Sequence, residues 1–242
     1  MIGNTGFDVL WRSSSSIDGW LTERQGRRLY QEASRVPPGD WIVEIGSHHG
    51  RSTTVLAGGK SREVHLLAVD PFDDPRWGGG SAAFDTFKAN IEELDDPNVE
   101  TFRGLSAEAA ATWLGHPIGL LFIDGAHDVK SVLQDFDGWK PYLAEGAKVV
   151  FHDAFCSIGV TKAITKRLLT DKSITFLGSE RSLAVFEHRL PEIGTISLLA
   201  NRARFLPRYV WFLRNLSIKY ALRRGWRPIA AALGDPEGAH LY

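Results

Sequence analysis

The chain has 242 residues, 43% of them hydrophobic, which suits one large domain with a sizeable core. Its formal net charge of -1 gives no general reason to expect nucleic-acid binding, and its single cysteine, Cys156, excludes an internal disulfide. No apolar run is long enough to span a membrane, and polar residues interrupt the first twelve positions. We therefore expect a soluble, cytoplasmic protein.

The chain begins with two segments of different character. Residues 1–21 include a serine tract and are expected to form an irregular lead-in. Thr22 and Gln25 have the spacing of a capping box, which predicts a helix that carries Leu29 and ends before Pro37. We therefore place the start of the main domain at residue 22.

Short apolar segments then alternate with helical patterns. The predicted strands are 41–45, 64–69, 99–102, 118–123 and 148–151. The predicted helices that follow them are 51–57, 81–94, 107–114, 129–139 and 160–169. Strands separated by helices need crossover connections, which predicts a parallel sheet covered on both faces.

The pattern changes after residue 169. Segments 174–177 and 183–186 are separated by five residues, and this spacing is typical of a hairpin rather than a crossover. We therefore predict an α/β fold with a doubly wound, mostly parallel seven-stranded sheet that finishes with one antiparallel strand, formed by residues 22–189.

Residues 190–242 have a different composition, rich in arginine and aromatic residues. No acid occurs between Glu192 and Asp235. We interpret this segment as a basic, aromatic C-terminal appendage that packs against the sheet or a partner subunit. Attachment to an anionic membrane surface and contact with a nucleic acid are the alternatives.

Candidate ligand-binding residues follow the predicted strands, where an open parallel sheet binds its ligands. The turn GSHHG after the first strand lacks the glycine pattern of dinucleotide-binding proteins and the lysine of a P-loop. Asp70, at the end of the second strand, is suited to accept hydrogen bonds from a ribose, although a turn or cap role is the alternative. Glu44 stands within an apolar run and needs a partner, for which a structural ion pair is the alternative.

A second group of polar residues follows the fourth and fifth strands. Asp124, His152 and Asp153 offer two carboxylates and an imidazole, a donor set that could hold Mg²⁺ or Mn²⁺. His127 comes three residues after Asp124 and is suited to be a general base. An ordinary surface or core histidine is the alternative.

Four motifs in order give the chain a family resemblance: VEIGSHHGRS, VDPF, FIDGAH and VVFHDAF. The set resembles class I S-adenosylmethionine-dependent methyltransferases, and more narrowly the small metal-dependent O-methyltransferases related to catechol and macrolide-sugar methyltransferases. The resemblance covers roughly residues 19–189. It implies the Rossmann-like methyltransferase fold with its reversed last strand.

The resemblance also implies roles for single residues. The implied cofactor-binding residues are Glu44, Gly46 and Ser47 around the methionine, Ser52 at its carboxylate, Asp70 at the ribose and Ser106 near the adenine. The implied metal ligands are Asp124, His152 and Asp153, and the implied catalytic base is His127. Catechol enzymes have an Asp-Asn pair in place of His152-Asp153 and a lysine in place of His127. A histidine at the position of His127 is a similarity to the sugar methyltransferases.

The function implied by the resemblance is methyl transfer to a hydroxyl of a small acceptor, with a divalent metal orienting that hydroxyl. We expect the acceptor to be a sugar or glycoside. Overall similarity and size suggest a methylated mannoside, although no motif in the sequence is specific for mannose. We expect the protein to form a homodimer and to bind no nucleic acid. The alternatives are a phenolic acceptor, a cofactor-binding regulatory or scaffold protein without turnover, and a metal-dependent hydrolase. The glycine-rich loop 73–80 is either a lid over the acceptor or a plain surface loop.

Overall fold

The computed structural model of the chain describes residues 5–73, 79–168 and 170–234. Most of the predicted lid, residues 74–78, therefore lies outside the described residues. So does Leu169, the last residue of the predicted helix 160–169.

One sheet of seven strands forms the centre of the fold. Its strands are β1 Trp41–Ile45, β2 His65–Asp70, β3 Val99–Arg103, β4 Ile118–Ile123, β5 Leu143–Phe151, β6 Ile174–Glu180 and β7 Leu183–His188. They are ordered β3-β2-β1-β4-β5-β7-β6. Strands β1 to β5 pair in parallel, whereas β7 is antiparallel to both β5 and β6. The predicted Rossmann-like methyltransferase fold, doubly wound with a reversed last strand, is confirmed.

Helices cover both faces of the sheet and extend beyond it. They are α1 Thr5–Ser14, α2 Glu23–Ala33, α3 Arg51–Gly59, α4 Ser81–Glu92, α5 Ser106–Ala111, α6 Val129–Trp139, α7 Ile158–Ala163, α8 Thr195–Ala203, α9 Leu206–Arg223 and α10 Arg227–Ala232. The predicted capping box is present at the start of α2, where Thr22 and Gln25 satisfy each other's backbone amides. The single helix predicted over 160–169 is instead the short α7 followed by a π-helical turn, Ile164–Leu168.

The core lies on both sides of β4, which is buried along its whole length. Leu121 and Ile123 belong to the apolar cluster on one face, while Leu120 and Phe122 belong to the cluster on the other. Burying a side chain of this size contributes about 1.5–3 kcal/mol. The doubly covered sheet therefore holds the carboxyl ends of its strands in fixed register.

The N-terminal segment differs from its prediction. Residues 5–14 form α1, so the irregular lead-in expected for 1–21 is wrong over this range. Phe7 is fully buried, and Trp11 packs so closely on Gly26 that a Cβ there would lie 2.7 Å from the indole ring. Arg51, at the start of α3, ties down the chain that follows by donating to the carbonyls of Ile17 and Gly19, among others.

The C-terminal segment is anchored on the antiparallel end of the sheet. Phe205 is 1% exposed and packs on the rings of Phe155, Phe176 and Phe186. Arg202 donates to the carbonyl oxygens of residues 171 and 174, both at 2.7 Å. This packing agrees with the favoured interpretation of the tail, although the domain boundaries at 22 and 190 stay predictions. None of the helices in the described ranges has the length and apolarity needed to cross a membrane.

Candidate functional site

The turn after β1 brings the two central strands together at their carboxyl ends. Gly46 has φ +88, and a Cβ at this position would overlap with the carbonyl group of Asp124. The amide of Gly46 donates to Val69 at 2.9 Å, and the amide of Asp124 donates to Ile45 at 2.8 Å. Only glycine permits both the left-handed backbone and this close approach.

Asp70 holds the same turn from the end of β2. Its Oδ2 accepts hydrogen bonds from the amides of Ser47 at 2.8 Å and His48 at 2.9 Å. Its Oδ1 accepts from the amide of Phe72 at 2.6 Å. An ionised carboxylate has about four acceptor positions, so three amides do not exhaust it. The predicted contact of Asp70 with a ribose stays a prediction.

Glu44 is fully buried beneath the turn. The hydroxyl of Thr53, on α3, donates a short hydrogen bond to Oε2, whereas Oε1 has no partner of standard geometry among the described residues. Burial raises the pKa of Glu44 to about 7, and the nearby hydroxyls of Ser52, Thr53 and Ser47 offset part of that rise. No Lys or Arg in the described ranges forms an ion pair with Glu44, so the alternative of a structural ion pair finds no support there.

The N-terminus of α3 completes this part of the edge. Gly50, with φ +92, is its N-cap, and Ser52 lies in the first turn with 8% exposure. The first amides of a helix have no partner within the helix, so they and the helix dipole favour an anion at this end. Ser47, in the turn that leads into α3, is 2% exposed, and its hydroxyl, near the Glu44 carboxylate, has no hydrogen-bond partner of standard geometry among the described residues.

Ser106 occupies the first position of α5, next to the end of β2. The amide of Gly104 donates to the carbonyl of Asp70 at 3.2 Å, which places the loop before α5 beside that strand end. The Ser106 hydroxyl accepts from Trp139 Nε1 at 3.0 Å. Burial raises the pKa of the neighbouring Asp135 to about 6, against the lowering effect of its hydrogen bond with Ser106. Sequence reasoning missed both Trp139 and Asp135, which lie on the inner face of α6.

The three predicted metal ligands do come together. One donor atom each from Asp124, His152 and Asp153 lies within 4.8 Å of the other two. His152 Nδ1 is 3.1 Å from Asp124 Oδ1 and 3.6 Å from Asp153 Oδ2. His152 and Asp153 are buried, while Asp124 is partly exposed. The three residues therefore form a compact set of oxygen and nitrogen donors.

His127 lies at the same cluster. Its Nε2 is 3.3 Å from Asp153 Oδ2 and 3.9 Å from Asp124 Oδ1. Burial disfavours the charged imidazole, but the carboxylates of Asp124 and Asp153 outweigh this effect and raise the pKa of His127. The cluster thus stabilises a proton on this side chain.

The charges of the remaining members are coupled. Burial opposes ionisation of both His152 and Asp153. The carboxylates of Asp124 and Asp153 nevertheless raise the pKa of His152, and the imidazoles of His152 and His127 lower the pKa of Asp153. Asp153 adopts φ +53, and the thiol of Cys156 donates to its Oδ1 at 3.0 Å. Sequence reasoning did not find this role of Cys156, although its position three residues after Asp153 was a usable signal.

His48 and His49 form a separate pair on the turn. Their rings are 3.8 Å apart, and Trp20 lies 5.1 Å from His48. Donor atoms of Asp18, His48 and His49 also lie within 4.8 Å of one another, but Asp18 is exposed. The two histidine rings and Trp20 therefore pack together on the outside of the turn.

Comparison with known proteins extends these observations. Residues 43–154 match the family model described as a methyltransferase domain. A Bacillus cereus O-methyltransferase solved in complex with SAH is 16% identical, has a TM-score of 0.58, and matches 78% of this chain and 93% of its own. The O-methyltransferase NovP is 16% identical, with a TM-score of 0.61, over 70% of this chain and 82% of its own.

A third solved structure is the TDP-rhamnose 3′-O-methyltransferase of calicheamicin biosynthesis. It is 17% identical, with a TM-score of 0.52, over 78% of this chain and 94% of its own. At these identities the similarity shows a shared fold. Residues 43–154 therefore resemble a methyltransferase domain, and the chain has a fold that the O-methyltransferases among these structures share.

Proposed function

We propose that this chain is an S-adenosylmethionine-dependent O-methyltransferase that acts on a hydroxyl of a small acceptor. One observation carries the proposal. The turn held by Asp70 and the cluster of Asp124, His127 and Asp153 lie along one edge of the sheet, because Gly46 brings β1 against Asp124. A cofactor pocket and an acid–base cluster at adjacent strand ends are what methyl transfer needs.

Three features of the turn suit the cofactor. Glu44 Oε1 and Ser47 Oγ are buried polar atoms that lack hydrogen-bond partners of standard geometry among the described residues. The amino-acid part of a bound cofactor would supply such partners. The N-terminus of α3, at Ser52, favours the carboxylate of the methionine part. Asp70 and Ser106 flank the remaining edge, where we place the ribose and the adenine. S-adenosylmethionine, when bound, supplies the electrophilic methyl group.

The donor set suits a divalent cation. Asp124, His152 and Asp153 would hold Mg²⁺ or Mn²⁺, because carboxylate oxygens suit both ions and their donor atoms are already close together. A cation bound there would make an acceptor hydroxyl more acidic and orient it. The ion pairs that now link these residues would reorganise around it.

His127 is the residue that we propose removes the proton of the acceptor hydroxyl. Its Nε2 faces Asp153 and Asp124, whose carboxylates stabilise the imidazolium that this transfer forms. Because burial disfavours the charged ring, the two carboxylates are needed to keep His127 a competent base. The same carboxylates therefore serve the cation and the base.

A sugar or glycoside remains the acceptor that we propose, with a methylated mannoside as one example. The TDP-rhamnose enzyme among the structural neighbours supports a carbohydrate, and so does the histidine that stands where catechol enzymes have lysine. A homodimer also remains a proposal. Leu206, Val210 and Leu213 form an exposed apolar face on α9 that a second copy could cover.

The test is a methyl-transfer screen over monosaccharides, alkyl and aryl glycosides and phenols, with products identified by mass. We expect a product heavier by one methylene unit with the intact protein, and at least a 100-fold lower rate for His127→Ala and Asp153→Ala. Unchanged rates in both variants would show that neither His127 nor Asp153 has its proposed role in catalysis. Cofactor binding without any product would instead favour the regulatory or scaffold alternative.

A further inference from the structure

A cavity of about 790 Å³ opens beside His127. Its walls come from His127, the start of α7 at Ile158, and the C-terminal helices α9 and α10. None of the predicted cofactor-binding residues lines it. A volume of this order is typical of a small-molecule site. The cavity therefore lies on the base side of the site and is built largely by the tail.

The tail contributes apolar side chains that the described residues leave uncovered. Tyr220, Trp226 and Ile229 line the cavity and are each about half exposed. Leu216 and Ile158, also in the lining, are 37% and 48% exposed. Apolar groups gathered around one cavity mark a site for an apolar ligand, since each square ångström covered contributes about 25 cal/mol.

The same cavity carries positive charge. Its two permanently charged lining residues in the described ranges are Lys219 and Arg223, one turn apart on α9. Lys219 Nζ donates to the carbonyl of Cys156 at 2.9 Å, which leaves two of its hydrogens for a ligand. Arg223 is exposed, and its side chain forms no hydrogen bond or ion pair with any residue that the structure describes.

Lys219 and Arg223 have no acid beside them in the described lining of the cavity. The described lining contains neither Asp nor Glu, and residues 193–234 hold eight Arg and Lys residues without a single acid. A guanidinium and an ammonium on one helix face bind phosphate or carboxylate through charge-assisted hydrogen bonds. The cavity thus joins an apolar wall, an anion-binding end and the imidazole of His127.

From this combination we infer that the acceptor is an amphiphilic anion, whose apolar part packs on Trp226 and Ile229 and whose phosphate or carboxylate binds Lys219 and Arg223. The part of this inference that places the acceptor hydroxyl at His127 rests on the proposed function. The binding of an amphiphilic anion in the cavity does not. A free sugar would leave the apolar wall and the two cations unsatisfied. A sugar acceptor therefore carries an apolar aglycone and an anionic group.

Calorimetry with decyl phosphate, below its micellar concentration, tests the inference on the intact protein. We expect one site per chain, with at least tenfold tighter binding than decyl mannoside and no measurable binding of inorganic phosphate. Arg223→Gln should weaken decyl phosphate at least tenfold, and Ile229→Asn should weaken both amphiphiles. Arg227→Gln is the matched control, because Arg227 is an exposed arginine of the same basic stretch outside the lining.

Three results would overturn the inference: no binding of decyl phosphate, equal binding of decyl mannoside, or equal effects of Arg223→Gln and Arg227→Gln. Titration of the same variants with S-adenosylmethionine separates the two proposals. A protein that binds S-adenosylmethionine but not decyl phosphate contradicts this inference alone. One that binds decyl phosphate at Arg223 but never S-adenosylmethionine contradicts the proposed function and supports the cavity.

Discussion

The backbones of Gly159 and His127 are in close contact. A Cβ on Gly159 would overlap with the carbonyl oxygen of His127. Gly159 lies in the first turn of α7, whereas His127 belongs to the loop after β4. The absence of a side chain at Gly159 therefore fixes how closely the base approaches the rest of the site.

Gly159→Ala should push the His127 loop away from the acid cluster. We expect kcat to fall at least tenfold while the affinity for S-adenosylmethionine changes little, since displacements near 1 Å are costly to catalysis. Gly138→Ala is the control, because its Cβ would meet Ala110 at an ordinary 3.7 Å and alanine favours the helix. Equal activity of the two variants would show that the contact does not position His127.

Gly46→Ala tests the junction of β1 and β4. We expect loss of both stability and cofactor binding, because the new Cβ would overlap with Asp124 in a left-handed conformation. Gly146→Ala is matched to it, with φ +78 and nothing within 4 Å of the new Cβ, so it should cost only about 1 kcal/mol of backbone strain. Chemical unfolding and calorimetry measure both effects, and similar losses would argue against a packing role for Gly46.

Glu44 should make stability depend on pH. Its pKa is raised from 4.5 to about 7, so the folded state holds the proton across this range while the unfolded state releases it. The free energy of unfolding should then fall as pH rises from 4.5 through about 7, by up to about 3 kcal/mol.

Glu44→Gln should abolish this contribution, because the amide stays neutral and its oxygen can still accept from Thr53. The measurement is denaturant unfolding of the cofactor-free protein at pH 5 and pH 8, compared with Glu145→Gln at an exposed position. Parallel pH profiles for the wild type and Glu44→Gln would mean that Glu44 titrates normally.

Removal of divalent ions tests the proposed metal cluster. We expect EDTA to abolish methyl transfer and Mg²⁺ or Mn²⁺ to restore it, because the cation would make the acceptor hydroxyl more acidic. Asp153→Asn should lower the activity and raise the Mg²⁺ concentration needed for half-maximal rate. Full activity in the chelator would refute the metal while leaving the fold and the cofactor site intact.

Much of the fold was predictable because its central strands are buried on both faces. The bounds of β1 and β4 agree with the prediction to the residue, since each is a mostly apolar segment between turn signals. Helix α1 was not predicted, because the serine tract hid the spacing of Phe7, Leu10 and Trp11, which packs this helix on the domain. The serine-rich composition of this segment suggested irregular structure, whereas the spacing of its apolar residues indicated a helix.

The gathering of site residues at one edge was predictable for the same reason. Parallel strands put Asp70, Asp124 and Asp153 at one end of the sheet once their order is known. The cavity was not predictable, because His127, Ile158 and Tyr220 come from distant parts of the chain and meet only through tertiary packing. Thr53 was foreseeable in principle, because a buried Glu44 required a donor.

Calorimetric titration of the intact protein and of the variant Asp70→Asn with S-adenosylmethionine measures directly whether the turn after β1 binds this cofactor. We predict one site in the wild type and at least tenfold weaker binding in the variant. An asparagine turns one of the oxygens that hold the amides of Ser47, His48 and Phe72 into a donor. Absence of binding by the wild type, or equal binding by Asp70→Asn, would contradict the account.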